Sequence, residues 1–324
     1  MRWVRESEPQ PDQNRFYRNA LIITLGGNLL LAAGKGVVAW LSGSAAVYSD
    51  AANSVSDVVY SLLMVLGLWA ATRPPDLSHP QGHSRFEPLV ALMVAAAMAY
   101  AGFEAARNAY ERYTAQSLNA IAMDLPTLVL LASALIKAAM YVSINRISKQ
   151  LHSPTLSTTA RDNLSDVLTS LAAFVGVLGS NFIHPLADPA AGFLVAIWIL
   201  RNAYIAGREN LGFLTGRGTS KEKIDEFIAA AEGVPGVIKV HHMVTDYVGP
   251  RLMLDLHINV DGNSSVNHAH EISDEVTRRL EAFPDVDRAY VHIEPHDWED
   301  RQQGSPPPHG NGKQKAQDDP EAAQ

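Results

Sequence analysis

The sequence predicts an all-α membrane domain of six transmembrane helices, followed by a small α+β domain in the cytoplasm. Three observations predict it. Long apolar stretches fill the chain from Tyr17 to about Gly207. From about Thr219 the pattern turns to short amphipathic and alternating segments in the order αββαβ. After Trp298 the residues are mainly Gln, Gly, Pro, Asp and Lys, a composition of disorder. The length of 324 residues suits about two domains. Lys plus Arg number 26 against 34 Asp plus Glu, for a net charge of −8, which argues against a general nucleic-acid binder. The absence of cysteine excludes disulfides, iron–sulfur clusters, thiolate zinc sites and cysteine nucleophiles.

Crossing a bilayer takes about 20 mostly apolar residues. The first candidate, about 19–41, carries only Lys35. The second, about 45–71, is interrupted by Asp50 and Asp57, and the third, about 88–106, runs uncharged from Pro88 through Phe103. The fourth, about 125–145, holds Lys137. The fifth, about 157–179, holds Arg161, Asp162 and Asp166. The sixth, about 186–206, holds Asp188 and Arg201. The first and third have no polar face to turn to water, which argues against amphipathic helices of a soluble core. Met1 to Gln13 is polar, contains Pro9 and Pro11, and leads to no small-residue cleavage site, so the first span is expected to stay as an anchor. With the N-terminus inside, the cytoplasmic side collects Arg2, Arg5, Arg15, Arg18, Arg73, Arg85, Arg146, Lys149, Arg161 and Arg208, against Arg107 and Arg112 outside. That asymmetry places both termini in the cytoplasm.

In the second domain Ser220 caps a helix to Glu232, with Ile224, Phe227, Ile228 and Ala231 on one face. Val237–Tyr247 and Leu252–Val260 read as strands joined by Gly249-Pro250. Leu252, Leu254, Leu256, Ile258 and Val260 alternate with polar residues and Met253, as one buried face requires. Ser265–Phe283 reads as a second helix and Ala289–Glu294 as a last strand. The expected division is a polar segment 1–16, a membrane domain 17–210, a cytoplasmic domain 211–297 and a disordered tail 298–324.

The most informative feature is an internal echo. The second span reads Asn53-Ser54-Val55-Ser56-Asp57-Val58-Val59-Tyr60-Ser61-Leu62; the fifth reads Asp162-Asn163-Leu164-Ser165-Asp166-Val167-Leu168-Thr169-Ser170-Leu171. Aligned on Ser-Asp-Val, Asn53 matches Asp162 and Asp57 matches Asp166. Each pair is spaced i, i+4, which puts both side chains on one helix face. Two such helices present four oxygen-bearing side chains to one point, a workable cation site. Each ionised carboxylate at mid-membrane costs roughly 2.5–3.5 kcal/mol on insertion scales, so the three demand a cation, protons or water. Structural ion pairs with Lys35, Lys137 or Arg161 are the alternative, one that gives no reason for the duplication. Asp50, one turn before Asn53, is an accessory on the same face.

These residues resemble the cation diffusion facilitator family of metal/proton antiporters over about 17–297. The resemblance implies six membrane helices, paired ligands on the second and fifth, and a ferredoxin-like cytoplasmic domain. The loop Pro75-Asp76-Leu77-Ser78-His79-Pro80-Gln81-Gly82-His83 matches the family's Asp-x-x-His-x-x-x-His. It implies a second metal site at Asp76, His79 and His83. In the cytoplasmic domain His257, His270 and His292 fall where the family places metal-binding histidines. His241 or His242 supplies another and Glu294 an oxygen; His270 is favoured over His268. A charged interlock in some relatives joins a basic residue, here Arg85, to an aspartate just past the sixth helix. The matching stretch Phe213-Leu214-Thr215-Gly216 has none.

Many zinc-transporting relatives carry histidine in the membrane pairs, and here both pairs lack it. The set Asn53, Asp57, Asp162 and Asp166 looks like the manganese-transporting branch, and oxygen donors suit a hard ion such as Mn²⁺. The function expected is proton-coupled efflux of divalent cations, Mn²⁺ first, by alternating access. A Zn²⁺ or Fe²⁺ exporter, a non-transporting metal sensor or scaffold on the same fold, and a channel are the rivals. No further catalytic motif is visible, so an enzyme is not expected, and neither is a prosthetic group. The expected partners are a second copy of the chain in a homodimer, the lipid bilayer, divalent cations and protons. The expected location is the plasma (inner) membrane.

Overall fold

In a computed structural model of the chain, residues 11–42, 45–115, 125–182 and 186–296 are described. The tail after Trp298 lies outside them. Contacts divide the chain into two compact units, Met1–Gly218 with Asp246–Leu252, and Thr219–Thr245 with Met253–Gln324.

The first unit holds six long helices: α1 (Pro11–Ser42), α2 (Ala45–Ala71), α3 (Phe86–Ala115), α4 (Leu125–Leu151), α5 (Pro154–Phe182) and α6 (Ala187–Leu214). Helix α1 starts at Pro11, well before residue 17, because proline is pre-set for the first helical position, where no N–H is needed. Four segments are long and apolar enough to cross a membrane: Arg15–Leu41, Asn53–Ala71, Phe86–Glu111 and Pro189–Leu214. Among the described residues α4 and α5 are not in that group. For α5 the cause is its content of polar residues, which the fold turns inward. Thr155, Thr158, Thr159, Asn163 and Ser165 are buried, and α5 packs against α3, α4 and α6. Its hydroxyls and amides bond back along their own helix, Thr159 Oγ1 to the Thr155 carbonyl (2.9 Å) and Asn163 Nδ2 to the Thr159 carbonyl (2.9 Å). Side-chain donors satisfied this way are buried at reduced cost, while Asn163 Oδ1 has no hydrogen-bond partner among the described residues.

Helices α3 and α6 pair most extensively, followed by α1 with α2 and α4 with α5. Met64, Leu68, Val90, Met140, Ile144 and Leu156 form one shared core cluster. At Gly67 the α2 backbone meets Val90 of α3 so closely that a Cβ would overlap the valine side chain. The α4–α5 turn is made by His152, whose φ of 51° closes the helix end and lets the Ser153 N–H reach the Ser148 carbonyl at 3.3 Å.

From Thr219 the chain runs α7 (Lys221–Glu232), β1 (Lys239–Val248), β2 (Arg251–Val260), α8 (Val266–Glu281) and β3 (Val286–Pro295), the predicted αββαβ order, and all of it belongs to the second unit except the β1–β2 turn, Asp246–Leu252. The three strands form one sheet with β2 in the middle. Leu252, Leu254, Leu256 and Ile258 are fully buried, as their alternation predicts. Helix α7 starts at the predicted cap, where Ser220 accepts from the Lys223 N–H, and Ser265 caps α8 in the same way by accepting from the His268 N–H. Gly249, at φ 68°, makes the tight β1–β2 turn.

Candidate functional site

The echo between α2 and α5 extends into hydrogen bonding. Ser61 Oγ donates to the Asp57 carbonyl (2.7 Å), and Ser170 Oγ donates to the Asp166 carbonyl (3.0 Å). Each serine lies one turn after its aspartate, and the two occupy equivalent places in the repeat. On the α2 side, Asn28 of α1 donates to Ser61 Oγ (2.7 Å), which fixes the turn that carries Asp57.

The two aspartates converge on one nitrogen. Lys137 Nζ of α4 lies 2.8 Å from Asp57 Oδ2 and 2.7 Å from Asp166 Oδ2. Asp162 lies within electrostatic reach of the same ammonium. Asn53 sits on an exposed part of α2, and the Asp50 side chain lies outside the described residues. Among the bases that could pair with the carboxylates, Lys137 is seen between two of them. Arg161 instead reaches Glu209 of α6 at 3.1 Å, and Lys35 is buried on α1, where it acts electrostatically on Asp57.

Between α2 and α3, Asp76, His79 and His83 offer ligand atoms that all lie within 4.8 Å of one another. His83 Nε2 is 3.4 Å and His79 Nδ1 3.6 Å from the Asp76 carboxylate. His83 is buried, and its Nδ1 has no hydrogen-bond partner. The N–H of His79 (2.7 Å) and then that of Ser78 (2.9 Å) donate to Asp76 Oδ1 and hold its carboxyl below the usual aspartate range. A depressed value means that this carboxylate supports the loop above the unfolded value. The support is lost only as pH falls through the lowered one. A carbon-13 titration of the Asp76 carboxyl is therefore expected to show a midpoint below that of the denatured chain; an equal or higher midpoint contradicts the turn geometry.

In the second unit, His241 of β1, His257 of β2 and Glu294 of β3 come together from all three strands. Glu294 takes His241 Nε2 at 3.1 Å on one oxygen and His257 Nδ1 at 3.1 Å on the other; His292 Nε2 is 3.6 Å away. The ring of His242 lies 4.9 Å from that of His257. The structure does not bring His270 to this cluster. It stands exposed on α8, 3.7 Å from Asp274 one turn on, while His268 faces Glu271.

Two family descriptions match the chain: the cation efflux transmembrane domain over residues 21–215, and the cytoplasmic domain of cation efflux proteins over residues 219–296. The chain belongs to the cation diffusion facilitator family. Its relatives include an uncharacterized transporter, MJ0449, of Methanocaldococcus jannaschii, 35% identical over 86% of this chain and 99% of that one. Metal tolerance protein C1 of Arabidopsis thaliana is 31% identical over 89% of this chain and 64% of its own length. The manganese efflux system protein MneS of Bacillus subtilis is 25% identical over 88% and 97%. The chain is thus an integral membrane protein of a metal cation efflux family.

Within this cation diffusion facilitator, some site geometry is missed by sequence reasoning. The role of Ser61 and Ser170 is foreshadowed by their matching places in the quoted runs. Asn28 carries no such signal. Arg85 Nη2 pairs with Asp246 Oδ2 at 3.3 Å within the first unit, so an acid does face Arg85, at the end of β1 and not after α6.

Proposed function

We propose that the protein exports divalent metal cations from the cytoplasm in exchange for protons, with Mn²⁺ as its principal cargo. The single observation that carries this reading is the convergence of Asp57 and Asp166, equivalent positions of a repeat, on one point 2.8 and 2.7 Å away. A cation already stands between these oxygens in the form of an ammonium, and among the described residues no imidazole joins the set. Oxygen donors favour a hard ion, and the likeness to a manganese efflux protein supports the same cargo.

In this reading all six long helices cross the plasma membrane with both termini in the cytoplasm, and two copies pair. Cargo enters from the cytoplasm to Asn53, Asp57, Asp162 and Asp166. After the outward swing, external protons compete for the carboxylates and release it, and the return swing carries protons in. Asn53 cannot titrate, so coupling rests on the three aspartates. The Asp76–His79–His83 loop and the His241–His257–Glu294 cluster, with His292 beside it, hold metal outside the transport route. The ferredoxin-like cytoplasmic domain then acts as the sensor.

The test is flux into liposomes under an imposed pH gradient, with Mn²⁺ and Zn²⁺ offered separately. Mn²⁺ uptake that dissipates the gradient and exceeds Zn²⁺ uptake is the expected result. Preferred Zn²⁺ uptake overturns the cargo assignment and leaves the mechanism. Flux indifferent to pH overturns proton coupling.

A further inference from the structure

Lys137 holds a position that a buried apolar residue would ordinarily fill. Ser133, Ala134, Met140 and Ile144 of α4 are buried with it at helical spacing. Its ammonium lies almost equally far from Asp57 and Asp166, the two repeat-equivalent carboxylates of α2 and α5. A lone structural ion pair needs one acid; this lysine joins the matching acids of both halves of the repeat. Any cation coordinated by those two oxygens together must take the place of the ammonium, since the point that serves both is the point it occupies.

We propose that Lys137 is a tethered competitor in the transport site, contending with the divalent cargo for the same Asp57 and Asp166 oxygens. This rests on the reading of those aspartates as cargo ligands. The chemistry suits the task. A lysine carries a compact charge on a flexible four-carbon stem, so its ammonium can leave the carboxylates and return without moving the helix. Its return as cargo departs spares the site two uncompensated carboxylates among the membrane helices, where an unpaired charge is costly. The same competition caps cargo affinity, which a transporter needs because an ion held too tightly does not leave. It also disfavours monovalent ions, which bring no more charge than the ammonium they would displace.

The test measures Mn²⁺ affinity and flux at one fixed alkaline pH in the full chain with Asp76→Ala and Glu294→Ala in place, so that the loop and cytoplasmic sites do not contribute. Lys137→Gln and Lys137→Met are expected to tighten Mn²⁺ binding about tenfold, while maximal flux falls severalfold because release slows. Lys137→Arg is expected to weaken binding about tenfold, because a two-pronged guanidinium grips both carboxylates at once. A lysine with a merely structural role predicts the opposite for the neutral variants, binding weakened or lost together with thermal stability. Unchanged or weaker Mn²⁺ binding in folded neutral variants overturns the proposal. Should neither neutral variant fold, Lys137→Arg decides alone, and affinity equal to or tighter than wild type overturns it. Failure of the underlying reading has a different signature: wild-type Mn²⁺ binding that Asp166→Ala leaves intact.

Discussion

Asp166→Ala is expected to lower Mn²⁺ flux in liposomes at least about a hundredfold while the protein still folds. The size follows from the number of donors. Loss of an outer partner of a metal ligand already costs roughly 10–100-fold in affinity or activity, and Asp166 is placed to be a ligand itself. Folding should survive because Lys137 keeps Asp57 at 2.8 Å and is not left as an unpaired buried charge. Asp57→Ala should behave alike, since the two aspartates occupy equivalent places and reach the same nitrogen. Ser170→Ala removes only the hydroxyl that braces the Asp166 carbonyl, and its effect should stay within a few-fold. Flux in Asp166→Ala near the wild-type level would remove these carboxylates from the transport route.

What could be read in the residues, and what could not, divides along a physical line. Signals with a period survive in a sequence. The alternation from Leu252 to Val260 marks a strand with one buried face, and the structure buries those residues. Ser220 and Ser265 mark helix starts, because an orphan N–H needs an acceptor at that place. The i, i+4 pairs of α2 and α5 mark a shared face in the same way. Relations between helices have no such signature. Spacing along one helix says which face a lysine shares and nothing of the depth at which a neighbouring helix meets it. For that reason Lys35, Lys137 and Arg161 were equal candidates for the aspartates until packing paired Lys137 with Asp57 and Asp166, and Arg161 with Glu209. Asp246 lies 161 positions from Arg85, and the stretch just past α6 held no acid to suggest a partner. Apolarity misleads in the reverse sense at α5. Its polar residues turn inward, so a composition window understates a helix that the repeat had already marked as functional.

Glu294→Ala should weaken Zn²⁺ binding by the cytoplasmic histidines about a hundredfold or more. The measurement uses the full chain with Asp166→Ala and Asp76→Ala already in place, so that the transport and loop sites are disabled. Glu294 is the hub of the cluster: one oxygen faces His241 Nε2 at 3.1 Å, and the other faces His257 Nδ1 at 3.1 Å and His292 Nε2 at 3.6 Å. Imidazole and carboxylate form an ordinary zinc donor set, and three or four must converge to bind well. Without the carboxylate the site loses both a ligand and the charge that draws the histidines inward. His270→Ala should change the same affinity less than twofold, because His270 stands on α8 with Asp274 and shares no partner with the cluster. The contrast between these two variants tests where the site is completed. If His270→Ala weakens binding as much as Glu294→Ala, the histidine must reach the metal from a second copy of the chain. The site would then be assembled between two protomers.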